Sequence, residues 1–382
     1  MYENRITAIV KPTHRCNLAC KYCFVDSCAE RGEMDSKTLE NMTLQLSELS
    51  GINRVNVIWH GGEPLLRGLD FYRQAVMLQG KYPNVTFDNS MQTNATLIND
   101  DVLDFCERNN ITLGTSMDGP EDIHNLTRVY PDGRGSFQDV WTGVKKIKER
   151  NKDIEKRTPH GIRPAYLGGG SIVVLSKMNS KKLNEVYDFF KSHKIPIKVN
   201  PLIRSGRAIG GYRNLGIEPQ EYGRALVDLF DRWFYEKESG IDVEPLSDVL
   251  GNLMTGKPVG CNFGENCRNG FVSIGPQGDI YPCGRFDGAK EYWLGNVNKN
   301  HLSDALQSRT HKVMAERSSE NVVGCSSCEY SGICNAGCMH NAYVQKGNIK
   351  DKDYYCASYK ILFKHLGEAL DIELKNAEVK HT

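Results

Sequence analysis

The stretch Thr13–Phe24, THRCNLACKYCF, sets Cys16, Cys20 and Cys23 on one short loop, with three and then two residues between them. A cubane [4Fe–4S] cluster takes one thiolate per iron. Three thiolates on such a loop hold three irons and leave the fourth open to a small molecule. The competing occupant of clustered thiolates is zinc, which in structural sites takes four protein ligands. Tyr22 stands directly before the third cysteine, and Ala8 to Val10 is a short apolar run ending just before Pro12. The loop therefore follows a first strand.

Beyond the loop, strand-like and helix-like segments alternate. Arg54 to Trp59, Val85 to Met91, Ile111 to Ser116, Ser171 to Leu175 and Ile195 to Asn200 read as strands. Leu39, Met42, Leu46 and Leu49 recur at helical spacing, with Asp35 or Ser36 as N-cap and Gly51 as the stop. Asp70 to Tyr82, Asp100 to Asn109, Phe137 to Asn151 and Ser180 to Ser192 are the other helices. This order predicts right-handed βαβ units and a parallel sheet. Six units are too few for a closed eight-stranded barrel, so the expected fold is α/β, a partial (βα)6 TIM-like barrel. In such sheets the chemistry lies beyond the C-terminal strand ends. There the chain places the cysteine loop, then Gly61-Gly62-Glu63-Pro64, then Gln92-Thr93-Asn94, then Ser116 and Asp118. Residues 151–170 read as a charged, Pro- and Gly-rich excursion. Residues 205–260 turn mainly helical (Glu221 to Glu238, Leu246 to Thr255). Past Cys261 the chain is rich in cysteine and glycine, with short strands at Phe271 to Ile274 and Ile280 to Tyr281.

The 382 residues carry 48 Lys+Arg against 47 Asp+Glu. That balance excludes a general electrostatic grip on nucleic acid or an anionic membrane. No run approaches the ~20 consecutive apolar residues of a membrane span, and MYENRITAIVKPTH lacks the pattern of an export signal. A cytoplasmic location is expected. Thirteen cysteines in a reducing compartment point to metal or redox chemistry rather than disulfides, and an odd number cannot pair completely. Cys28 and Cys106 stand outside the two cysteine groups, the first read as a non-ligand and the second as helix packing. Trp59 reads as core. His60 is either scaffold or a ligand contact, and Arg128 and Arg134 are either carboxylate contacts or solvated loop charges.

Eight further cysteines, Cys261, Cys267, Cys283, Cys325, Cys328, Cys334, Cys338 and Cys356, suffice for two fully ligated cubanes, or for two zinc sites. The intact C-x3-C-x2-C loop resembles that of the radical S-adenosylmethionine superfamily. GDIYPC, CSSCEYSGICNAGC and YYCASYK resemble the cysteine-rich SPASM auxiliary-cluster domain. The resemblance spans nearly the whole chain. It is closest to the branch of anaerobic sulfatase maturases and peptide-modifying SPASM enzymes, through SMDGP followed by IHN, MQTNATL and YYCASYK. It implies three [4Fe–4S] clusters and S-adenosylmethionine, cleaved reductively to a 5′-deoxyadenosyl radical that abstracts hydrogen from a peptide. It further implies that Tyr22, Gly61, Gly62, Glu63, Gln92, Asn94, Ser116 and Asp118 surround the cosubstrate. By the same resemblance Cys261, Cys267, Cys283 and Cys338 hold the auxiliary cluster nearer the active site, and Cys325, Cys328, Cys334 and Cys356 the outer one. The expected divisions are a barrel at 1–205, a helical bridge at 206–260 and the SPASM domain at 261–382.

Expected partners are a peptide or protein substrate and an electron donor such as flavodoxin or ferredoxin, with no nucleic acid and no membrane. About fifteen residues precede Cys16, too few for a leader-peptide-binding domain, so recognition would fall to a separate protein or to the barrel mouth. One departure steers the expected reaction. Sulfatase maturases carry an aspartate after the YPC cysteine as the proposed base; here the residue is Gly284. Asp279 and Asp287 read as turn residues, and no catalytic base is assigned. Together with WHGGEPLL and DGRGSF, this points to oxidative crosslinking (C–C, C–O or C–S) in ribosomal peptide maturation. Formylglycine formation on Ser or Cys is the alternative. A non-enzymatic electron carrier is disfavoured, because a carrier gains nothing from an open iron.

Overall fold

The computed structural model describes residues 4–25, 32–236, 240–264 and 270–380. Cys28 and Cys267 lie outside them. Six parallel strands form as the alternation requires: β1 (Arg5–Val10), β2 (Arg54–Trp59), β3 (Thr86–Thr93), β4 (Thr112–Ser116), β5 (Gly168–Leu175) and β6 (Ile197–Pro201). The register pairs Val10 with Trp59 and Thr93 with Thr115, so the strand ends share one rim. Burial alternates along each strand. One face, with Ala8, Val57 and Val173 fully buried, packs into a core with the flanking helices. The opposite face keeps half-buried polar residues, among them Asn56, Ser90, Gln92, Ser116, Lys198 and Asn200. A packed core would exclude such groups; this face instead offers a polar, accessible wall beneath the rim.

Side-chain caps start two of the helices that follow the strands. Asp35 accepts the Thr38 N–H at 2.8 Å to start Ser36–Ser47, and Asn99 accepts the Val102 N–H at 2.9 Å to start Asp100–Arg108. The fourth-strand helix, Phe137–Arg157, runs further than its sequence pattern suggests, which shortens the irregular excursion.

The cysteine-rich region extends the barrel sheet. β7 (Val243–Glu244) pairs with β6, while β8 (Phe271–Ile274) adds parallel to β1, followed by antiparallel β9 (Asp279–Tyr281) and β10 (Gly295–Asn296). One ten-stranded sheet results, ordered β10-β9-β8-β1-β2-β3-β4-β5-β6-β7. The final helix, Cys356–Lys380, packs along Pro219–Tyr235, with Ser358 and Ile361 against Gly223 and His365 against Phe230, while Tyr359 and Phe363 meet Phe263, and Tyr355 Oη donates to the Leu202 carbonyl at 2.7 Å. Among the described residues, no helix is long and apolar enough to cross a membrane.

Candidate active site at the strand ends

The rim gathers the four predicted motifs. The cysteine loop is tied to the GGE loop backbone to backbone: Gly62 N–H donates to the Thr13 carbonyl at 3.0 Å and Glu63 N–H to that of Arg15 at 2.8 Å. A side chain does not fit there. A Cβ on Gly61, at φ +112°, would sit 2.4 Å from the Thr13 oxygen, and one on Gly62 would sit 2.1 Å from that of Arg15. The immediate need for both glycines is thus close approach to the cysteine loop itself.

Glu63 and Asp118 are buried, and each organises a neighbouring loop. Glu63 accepts from Leu65 N–H (3.1 Å), Thr93 Oγ1 (2.8 Å) and Asn94 N–H (2.7 Å). Asp118 accepts from Tyr22 Oη (2.7 Å), Thr127 Oγ1 (3.0 Å) and Val174 N–H (3.0 Å). Burial pushes both carboxyls above their ordinary range, while these donors, and nearby Arg128, pull them back. Arg128 Nη1 donates to Tyr22 Oη at 2.8 Å and lies close enough to Cys20 to oppose the rise that burial imposes on that thiol. Tyr22, Asp118 and Arg128 therefore form a charged floor under the cysteine loop. Arg134, by contrast, is exposed and stacks on Tyr130.

Asn94 links the third strand to the loop, with Nδ2 at 2.9 Å from Asn17 Oδ1 and 3.8 Å from Cys16 Sγ. Gln92 Nε2 donates to Ser116 Oγ at 2.9 Å, joining two polar residues on the accessible face.

The described thiols outside Cys106 fall into three groups. Cys16, Cys20 and Cys23 lie within electrostatic reach of one another, and burial lifts Cys16 to about 12. Thiolates brought this close repel one another, and bound iron would offset that repulsion. Cys325, Cys328, Cys334 and Cys356 line a single pocket together with Tyr330, Asp353 and Lys360. Cys261, Cys283 and Cys338 form a third group, although they come from three separate segments. The donor chemistry fits iron–sulfur clusters at all three places. Cys106 is buried in Asp100–Arg108, away from these groups, as expected of packing.

Several charged residues emerge only from the fold. Lys11, 1% exposed, donates to Asp287 Oδ2 at 2.7 Å and to the Gly284 carbonyl at 2.8 Å; His14 Nε2 donates to the same Asp287 oxygen at 3.0 Å. Asp287 lies in a turn, as expected, and its buried carboxylate links the end of the first strand to the Cys283 turn. Lys11 and His14 overcome its burial and hold it well below the usual carboxylate range. Gly284 packs on Ile9, where a Cβ would lie 3.0 Å from Cγ2. His60 closes the second strand near Phe24, with its ring held down to about 4 by burial and by Lys11. Arg285 lies among the thiols of the third group.

An open parallel sheet, a three-thiol loop at its rim and two further thiol groups define a SAM-cleaving iron–sulfur enzyme. The Radical SAM superfamily model matches residues 10–188, and the SPASM model, an iron–sulfur cluster-binding domain, matches 266–329. The chain thus carries a radical S-adenosylmethionine domain and an iron–sulfur cluster-binding SPASM domain, which imply S-adenosylmethionine and [4Fe–4S] clusters as its cofactors. It is 28% identical over 374 residues to a cysteine-type anaerobic sulfatase-maturating enzyme of Clostridium perfringens, covering 94% of this chain and 96% of that one. It is 28% identical over 399 residues to a serine-type enzyme of Bacteroides thetaiotaomicron, covering 98% and 92%. Among solved structures, anSMEcpe with bound AdoMet and Kp18Cys peptide is 25% identical with a TM-score of 0.82, covering 97% of this chain and 99% of that chain. SuiB of Streptococcus suis bound to S-adenosylmethionine shares the fold at 19% identity and a TM-score of 0.62, covering 93% and 77%.

These relationships correct the expected reaction. The departure at Gly284 suggested peptide crosslinking, but the relatives matched nearly end to end are sulfatase-maturating enzymes of both types.

Proposed function

We propose that this enzyme oxidises a Ser or Cys side chain in a sulfatase-type peptide to formylglycine. The observation that carries the reading is the near end-to-end similarity to both maturase types. The barrel, bridge and SPASM divisions at 1–205, 206–260 and 261–382 and the 3+4+4 ligand sets, with Cys267 completing the third group, belong to the same proposal. A flavodoxin or ferredoxin is the proposed reductant.

When bound at the three-cysteine loop, S-adenosylmethionine supplies the hydrogen-abstracting radical. The chain's own residues hold the geometry. Glu63 fixes the strand-three loop, and Asn94 touches both Asn17 and the Cys16 thiol. The Tyr22–Asp118–Arg128 floor keeps the cysteine loop from sinking. Gln92, Ser116, Lys198 and Asn200 give the cosubstrate and a peptide backbone polar partners on the accessible sheet face. Oxidation of serine to the aldehyde removes two electrons and two protons; the cysteine route also needs water and releases sulfide. With glycine at 284, the substrate's acidic proton must pass to another group or to solvent.

The test is anaerobic incubation of reconstituted enzyme with a strong reductant, S-adenosylmethionine and Cys- or Ser-form sulfatase-motif peptides, followed by hydrazide trapping. The expected product is a hydrazone at the Cys or Ser position. Turnover of the cosubstrate without trapped aldehyde from either peptide would refute the proposal.

A further inference from the structure

Around the auxiliary thiols, buried polar groups are answered within the protein. Asp353 accepts from the Cys338 and Tyr355 N–H groups, both at 2.7 Å, and from Asn341 Nδ2 at 3.1 Å. Arg317 donates to the carbonyls of Ile349, Gly337, Ala336 and Asp351 at 2.6–3.0 Å. Tyr359 differs. It is 1% exposed, and its hydroxyl is buried with no hydrogen-bond partner among the described residues. The same residue lines the pocket of Cys325, Cys328, Cys334 and Cys356. The helix explains this placement. Tyr359 stands one turn after Cys356, and side chains on a helix lean toward its N-terminus, so the ring leans over the turn that presents this thiol. Phe263 braces the ring from another side, the centroids 4.9 Å apart at 78°. Buried hydroxyls are nearly always hydrogen-bonded, and one left without an acceptor costs its desolvation in full. Of the surfaces Tyr359 touches, the thiol pocket is the one built to receive a group that carries acceptors.

We propose that Tyr359 donates a hydrogen bond to the iron–sulfur cluster held by Cys325, Cys328, Cys334 and Cys356, and so raises that cluster's reduction potential. The inference rests on the cluster assignment given under the proposed function. The acceptor is a sulfur that arrives with the cluster, because no described thiol accepts from the hydroxyl. Cluster sulfurs become more negative on reduction, so a donor aimed at one favours the reduced form. Burial above all, with Asp353 and Tyr222 adding to it, holds the phenol protonated beyond its ordinary range. The donor proton is therefore always in place. Lys352 and Lys360 also line the pocket, but they are exposed and solvent screens their charge. Acting through the cluster, Tyr359 is a positioning residue rather than a catalytic one.

The test uses the full chain in a Cys16→Ala/Cys20→Ala/Cys23→Ala background, reconstituted anaerobically, with only the auxiliary clusters present. Iron is counted first, with about eight per chain expected. EPR-monitored redox titration then gives two midpoints, and the one that disappears in Cys325→Ala/Cys328→Ala belongs to the outer cluster. Tyr359→Phe removes the hydroxyl and keeps the ring. It should retain about eight irons, while the reduced-to-oxidised ratio of the outer cluster at fixed potential falls about threefold or more, which is ~28 mV for one electron. The other midpoint should move less than that. Phe363→Leu alters an apolar wall of the same pocket and should leave both midpoints within the same limit. A smaller shift in Tyr359→Phe would overturn the inference. So would an equal shift in both clusters, a shift confined to the other cluster, or one matched by Phe363→Leu. If Tyr359→Phe loses about four irons, retention of all iron in Phe363→Leu supports the hydroxyl's role and equal loss there overturns it. A parent with only about four irons would instead bring down the cluster assignment beneath, and the iron count alone tells the two failures apart.

Discussion

Replacing Lys11 by Met should destabilise the protein far more than an ordinary surface change. Its ammonium is almost wholly buried, and it joins β1 to the Cys283 turn through Asp287 and the Gly284 carbonyl. Removing one partner of a buried pair strands the other charge and typically costs about 3–5 kcal/mol. His14 still faces Asp287 at 3.0 Å, so the lower half of that range is expected. At 1.4 kcal/mol per factor of ten, the folded-to-unfolded ratio should fall two to three orders of magnitude. Removing both charges, in Lys11→Met/Asp287→Leu, leaves no orphan and should cost markedly less than Lys11→Met alone. Asp287 is held below its unfolded value of roughly 3.9. Its stabilising contribution is therefore complete above that value and lost as pH falls through the depressed folded one. The gap between wild type and Lys11→Met should accordingly be wide at neutral pH and narrow in strong acid. Anaerobic urea unfolding at several pH values measures this. A cost under about 1 kcal/mol for Lys11→Met, or a double variant worse than the single one, would show that the pair is not the lock described.

Three further outcomes are expected. Gly62→Ala pushes a methyl to within 2.1 Å of the Arg15 carbonyl and should displace the cysteine loop, lowering iron by about four per chain and abolishing 5′-deoxyadenosine formation; chromatography and iron assay check both. Arg128→Leu should likewise cost the N-terminal cluster, because Asp118 then loses its buried cation; an unchanged EPR spectrum of that cluster would contradict it. Cys106→Ala should keep all its iron and lose roughly 1 kcal/mol of stability, the scale of one small buried group, as read by denaturation.

The barrel was legible because strand-like runs such as Arg54 to Trp59 alternate with segments of helical spacing. Arg54 to Trp59 and Leu246 to Thr255 match the observed elements end for end. The addition of β8 to β1 was not legible, since pairing across more than 250 residues leaves no local trace. The last helix did leave one: Tyr359, Leu362, Phe363 and Leu366 are spaced for a helical face. Motif position located the rim but not the direction of its side chains. Glu63 and Asp118 turned out to anchor loops, which depends on donors from Thr93, Asn94, Thr127 and Val174 that no spacing reveals. Lys11 and Asp287 acquire meaning only once the Cys283 turn folds over Ile9.

The central claim is that the radical formed at the three-cysteine loop attacks the Cβ of a Ser or Cys and that an aldehyde results. A sulfatase-motif peptide deuterated at that Cβ, turned over anaerobically, tests it most directly, with mass spectrometry of both the 5′-deoxyadenosine and the hydrazide-trapped peptide. The account predicts deuterium in 5′-deoxyadenosine and a hydrazone at the labelled residue. Unlabelled 5′-deoxyadenosine, or a labelled one accompanied by a crosslinked peptide with no aldehyde, would contradict it.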